Sequence, residues 1–278
     1  MDKKVCDLKE NNMEKIPNII TEQDIEQDIK MEGQKFYCKY PIYKDKAIIR
    51  LHIVDNIYEK AIMIASTDGM KKLLNSNQEK LSEYNGTVIW GKTINDYFDV
   101  FIATKIFRYD LHTWRGTIFH EFIHAFDFYD YASYLNIKYM DEIMETKYYS
   151  DFCMWSEFHA RRIGYKNVLE YVYRDLRQFK KNKIYLSNIK LAAENYCTNI
   201  NLYNFMQFAG RYFIIKRALR DKCPSFQDLF QNKELIVDIS EMEELYNFLE
   251  KHDNFNLIID ELELLRKHIE IFNLYSNV

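Results

Sequence analysis

His120, Glu121 and His124 are the residues whose types and spacing could do chemistry in this chain. They stand in Thr117-Ile-Phe-His120-Glu121-Phe-Ile-His124-Ala-Phe-Asp127, an H-E-x-x-H pattern. On a helix, ~100° per residue puts His120 and His124 on one face, a turn apart. Two imidazoles so placed can reach one tetrahedral ion at about 2.0–2.1 Å without bending the helix. Glu121 is displaced by one residue and stands beside the ion, where a carboxylate can take a proton from an acidified water. Neutral imidazole suits Zn2+, which lowers the pKa of its water towards ~7. With 7 His in 278 residues, chance produces this pattern about 0.01 times in such a chain. Ile118, Phe119, Phe122, Ile123 and Phe126 flank it and predict a buried helix. Two His and a Glu buried there without partners would cost on the order of several kcal/mol.

A catalytic site needs a third protein ligand and one open position. Asp130 lies six residues after His124, the place used in H-E-x-x-H-x-x-G-x-x-H/D enzymes. Those enzymes need Gly at the third position after the second His, for a sharp turn. Here that position is Asp127, so the helix is expected to continue. The other candidate is Glu157, in Trp155-Ser-Glu157-Phe-His159-Ala-Arg161-Arg162 on the next predicted helix. A salt bridge to Arg161, four residues on, would be its purely structural use. The reading favours Glu157 as the ligand.

His120-Glu121-x-x-His124 with a downstream Glu157 resembles a zincin metallopeptidase of the gluzincin type. His-Glu-Phe-x-His-Ala-x-Asp-x-Tyr is similar to the active-site helix of lethal-factor-like peptidases, whose third ligand sits in a Glu-Phe-x-Ala context like Glu157-Phe158-His159-Ala160. A weaker similarity is to ImmA/IrrE-type peptidases. The resemblance covers about residues 98–165. It implies a zincin-like fold in which the strand before the metal helix, here 98–107, is the sheet edge that an extended substrate joins.

Oxyanion stabilisation needs a donor from outside the motif. Tyr148, Tyr149 and His159 are candidates by proximity to Glu157, with Tyr149 and His159 carried forward as catalytic. Asp127, one turn beyond His124, can accept from a ligand imidazole. Arg161 or Arg162 can orient Glu157 or bind a substrate carboxylate.

The elements that must position these groups follow from composition and pattern. Only 7 Gly and 3 Pro occur, against usual levels of about 7% and 5%, so long helices go unbroken and an all-β fold is excluded. With 47% apolar residues and 16% aromatics the chain can bury a large core. Ile49, Leu51 and Ile53 alternate with Arg50 and His52 as a half-buried strand, 98–107 alternate likewise, and 86–91 is a short strand bounded by glycines. Helices are expected over 56–84 with an interruption, from Thr113 as cap to about 131, over 151–179 with a break at Gly164, and through 183–220 and 240–274. Ser240-Glu-Met-Glu243 reads as a capping box. The expected organisation is a charged tail or accessory helix over 1–35, a catalytic domain over 36–180 and a helical lobe or accessory bundle over 181–278. The fold class is α+β and mostly helical.

A net charge of −4 gives no basic surface for nucleic acid. No apolar run approaches the ~20 residues of a membrane helix. Five scattered Cys and an N-terminus without an apolar segment fit a reducing cytoplasm. The expectation is a cytoplasmic zinc endopeptidase acting on protein or peptide substrates. The alternative is a catalytically silent metal-bearing protein that binds a protein partner through its C-terminal helices.

Overall fold

In the computed structural model, which describes residues 22–109, 112–231, 233, 235 and 237–276, the alternating segments become a small sheet. Strands β1 (Ile48–Val54), β2 (Gly86–Trp90) and β3 (Tyr97–Ala103) take the order β1-β3-β2. β1 runs parallel to β3, with Ile48 opposite Tyr97 and Val54 opposite Ala103. β2 is antiparallel to β3, with Gly86 opposite Ile102 and Trp90 opposite Phe98. Helices α2 (Ile57–Ile64), α3 (Asp68–Ser76) and α4 (Gln78–Glu83) fill the connection from β1 to β2.

This order corrects the expected sheet edge. β3 is central and buried from Phe98 to Ala103, and the strand at the edge beside the metal helix is β2. Period-2 patterning marks a strand but not its neighbours, and the parallel partner β1 covers the side left open in the sequence reading. Asp99 is the one charged residue buried within β3, and Arg50 at 2.8 Å and His52 at 2.7 Å hold it. The strand ends at Ala103, short of 107, and a helical turn, α5 (Ile106–Tyr109), follows.

The metal-motif helix, α6 (Thr113–Tyr134), is buried nearly all round, which suits its many aromatic and β-branched residues. Thr113 is its first residue rather than its cap; His112 precedes it without a side-chain cap bond. The helix passes straight through Asp127, as the missing glycine predicts. It ends where Asn136 takes a positive φ of 54° and the Ile137 amide bonds back to the Ala132 carbonyl.

Helix α7 (Tyr149–Val172) is also continuous, and the expected break at Gly164 does not occur. Gly164 serves a close approach instead. A Cβ added there would lie 2.5 Å from the Gly116 carbonyl oxygen of α6, so only hydrogen fits between the two backbones.

Helix α1 (Glu22–Lys39) runs across the boundary expected at residue 35. Its Phe36 is fully buried against Phe119, Phe122 and Phe126 at ring separations of 5.1, 5.3 and 5.7 Å. Its Glu32 is 2% exposed and pairs with Arg115 at 2.6 Å. Residues 1–21 of the expected tail lie outside the described residues.

The C-terminal part consists of α8 (Gln178–Thr198), α9 (Leu202–Leu219), α10 (Phe226–Phe230), α11 (Ile239–Lys251), α12 (Phe255–Ile258) and α13 (Leu262–Ser276). The Cys223-Pro-Ser225 break separates α9 from α10. The capping box is at Ser225 and Asp228 of α10, not at Ser240; Asp238 caps α11 by accepting from the Ser240 amide. α9 packs along α7, and its Gln207 reaches Glu157 beside the metal motif. No helix among the described residues is long and apolar enough to cross a membrane.

Candidate metal centre

Helix period and one glycine contact assemble the site. Spacing of four residues stacks His120 and His124 on the α6 face turned to α7. The backbone contact at Gly116 and Gly164 holds the two helices close enough for Glu157, two turns before Gly164, to meet both imidazoles. His120 Nε2 lies 3.0 Å from His124 Nε2, and the Glu157 oxygens lie 3.5 and 3.3 Å from the two nitrogens.

These separations fit an ion. Four donors at about 2.0–2.1 Å around a tetrahedral centre are ~3.3 Å apart, and the three observed edges bracket that length. His120, His124 and Glu157 are close enough to hold a metal ion. Asp130 is not part of the cluster; its carboxylate is held by Lys46 at 2.6 Å.

The charges tell the same story. Burial, then the nearby positive charge of His124, pushes His120 down to about 4. Burial opposes charge on His124 as well, but the Glu157 carboxylate outweighs it and pushes the imidazole up. Burial also opposes charge on Glu157, yet the two imidazoles hold it below the usual carboxylate range. The two imidazoles and the carboxylate are thus electrostatically coupled around the place a divalent ion would take. Burial pushes Glu121, the remaining member of the motif, up to about 7.

Behind the ligands lies a hydrogen-bond chain. Ser156 Oγ donates to Asp127 Oδ2 at 2.7 Å and so accepts from His124 Nδ1 at 2.8 Å, which turns Nε2 to face the cluster. Asp127 therefore acts on His124 through Ser156 rather than directly. His159 Nδ1 meets the other Asp127 oxygen at 2.9 Å, and its ring stacks on Trp155. His159 thus sits behind the metal helix and does not line the cleft, a correction to its expected place. Two residues beyond Glu157 is about 200° around a helix, so proximity in sequence put it on the wrong face. Gln207 Nε2 of α9 donates to Glu157 at 2.5 Å. His120 Nδ1 is buried without a hydrogen-bond partner.

The cluster opens on a cleft of about 650 Å³. One wall is β2, from Gly86 to Trp90. A Cβ on Gly86 would lie 2.7 Å from Glu121 Cγ, so the glycine lets the edge strand come directly against the motif carboxylate. The facing wall is α7, where Tyr149, Cys153, Glu157 and Arg161 recur every four residues and all line the cleft. Burial pushes the Tyr149 hydroxyl up, so it stays protonated and able to donate. Tyr148 faces away, with the Arg266 guanidinium over its ring.

Arg161 forms no ion pair with Glu157, and Arg162 is buried against Asp253 at 2.5 Å rather than exposed. Tyr203 and Arg211 of α9 complete the lining and were not legible from the sequence. Nothing local marks them; only the packing of α9 on α7 brings them there. Ser156 could have been found by its place one turn from its neighbours on the α6-facing side of α7. Compared with protein-family models, curated proteins and solved structures, the chain matches none.

Proposed function

We propose that the chain is a zinc-dependent peptidase with a zincin-like core of sheet, α6 and α7. The observation that carries this reading is the placement of Glu121. Its buried carboxyl opens into the same cleft as the His120, His124 and Glu157 cluster and lies against the edge strand β2. Two imidazoles and one carboxylate are a donor set that suits zinc and leaves a fourth position open. Zinc held there would supply Lewis acidity to a scissile carbonyl and would acidify a water. Glu121 is the carboxylate placed to take a proton from the attacking water and return it to the leaving amine. An extended peptide joins β2 by main-chain hydrogen bonds, which sets its carbonyl across the cluster. Tyr149 is the cleft's hydroxyl donor on α7, in place to steady a developing oxyanion.

The test uses protein purified without chelator. Elemental analysis is expected to find near-stoichiometric zinc in wild type and in Glu121→Gln. Incubated with a proteome-derived peptide library, wild type generates new termini and Glu121→Gln does not. Metal-free wild type, or equal cleavage by Glu121→Gln, overturns the proposal.

A further inference from the structure

Two inward-facing arginines are paired, Arg115 with Glu32 and Arg162 with Asp253. Arg161 and Arg211 are the exceptions. Both line the metal cleft, and neither has an ion-pair partner among the described residues. Arg161 Nε is buried without a hydrogen-bond acceptor. Glu157, the carboxylate nearest in sequence, is already engaged by two imidazoles and Gln207.

The pair is held in place by helix packing. A Cβ on Gly210 would lie 2.9 Å from Arg161 Cβ, so the Arg161 stem lies directly on α9 beside Arg211. Burial, and then the charge of Arg161, pushes Arg211 down to about 10. Two cations are thus kept together in a half-buried place with no carboxylate paired to either, an arrangement that an arriving anion would stabilise.

The place they occupy says where that anion comes from. Arg161, Arg211 and Tyr203 line both the metal cleft and an adjoining side pocket of about 280 Å³ between α7, α8 and α9. Asn195, Asn204 and Gln207 finish that pocket with amide groups. A planar guanidinium binds a carboxylate through two parallel N–H donors. The pocket therefore offers positive charge and fork geometry to a carboxylate, and it opens one helical turn from the ligand Glu157.

We propose that Arg161 and Arg211 form a carboxylate subsite of the cleft, so that the chain prefers acidic peptides. The anchoring group is an Asp or Glu side chain or the peptide's own C-terminal carboxylate. The inference rests on the peptidase reading and names its substrate class.

The test titrates zinc-loaded Glu121→Gln protein with N-acetyl hexa-alanine peptides bearing one Glu at each position in turn. Gln counterparts are measured alongside, and each peptide is used with a free and an amidated C-terminus. A side-chain anchor binds a Glu peptide about tenfold tighter than its Gln counterpart, one good charged contact being worth ~1.4 kcal/mol. A C-terminal anchor shows the same ratio between free acid and amide. Either preference is expected to vanish in Arg211→Gln and Arg161→Gln and to persist in part in Arg211→Lys, which keeps charge and length. Equal binding of acid and amide peptides, or a preference that survives both glutamine substitutions, overturns the subsite. Wild type is assayed on the same peptides. Cleavage without acid preference removes the subsite and leaves the peptidase; acid-selective binding without cleavage removes the peptidase and leaves the subsite.

Discussion

Replacing Gly164 with Ala tests how the centre is assembled. In an exposed helix that change stabilises by about 1 kcal/mol, because alanine loses less backbone entropy. Here the new Cβ would stand 2.5 Å from the Gly116 carbonyl oxygen, where ordinary contact begins at 3.4 Å, and 3.3 Å from His120 Cβ. The obstacle is backbone and cannot rotate away, so α6 and α7 must separate by most of an ångström. Overpacking of this kind costs roughly 1–3 kcal/mol, which offsets the helix gain and leaves a net loss of up to about 2 kcal/mol. For a chain of 278 residues, an unfolding entropy of ~2.1 cal/mol/K per residue turns that loss into up to about 3 °C in Tm. The same separation draws Glu157 away from His120 and His124, and a ligand set tolerates only about 0.5 Å of such error. Metal affinity is therefore expected to fall ~10-fold or more. Thermal unfolding of the metal-free protein and competition with a chromophoric chelator read the two effects separately. A variant more stable than wild type, with metal affinity unchanged, would show that the helices do not touch at these glycines.

Two further substitutions probe the layers around the centre. Ser156→Ala removes the hydroxyl between His124 Nδ1 and Asp127 and frees the imidazole to turn. Chelator competition is expected to show a ~10-fold or greater loss of metal affinity, and a change under about twofold would refute the relay. Phe36→Ala empties the ring site among Phe119, Phe122 and Phe126. It is expected to cost about 3–5 kcal/mol in urea unfolding, and a loss below ~1 kcal/mol would mean that α1 does not hold the back of the motif helix.

Much of the site was legible because it depends on short-range periodicity. His120 and His124 share a face whatever else the chain does, and Phe119, Phe122 and Phe126 mark the opposite side as buried. The missing glycine at Asp127 predicted a helix that carries on, and it does. Gly164 shows the limit of the same reasoning. A glycine inside a helical pattern reads equally as a break or as a contact, and only the Gly116 carbonyl across from it decides. His159 was misplaced because nearness to Glu157 along the chain ignores the turn of the helix between them.

The sequence by itself determined the metal motif, the carboxylate beside it, the mostly helical α+β class and the preference for Glu157 over Asp130. These follow from residue type and from a helical repeat that is the same in every protein. The tertiary structure decided that β3 is central and β2 the edge, that Asp127 reaches His124 through Ser156, and that α9 brings Tyr203, Arg211 and Gln207 to the cleft. Each of these joins segments far apart in the chain. Their pairing is settled by which apolar faces bury against each other and by two close glycine contacts, Gly116 with Gly164 and Gly210 with Arg161, that no local pattern encodes.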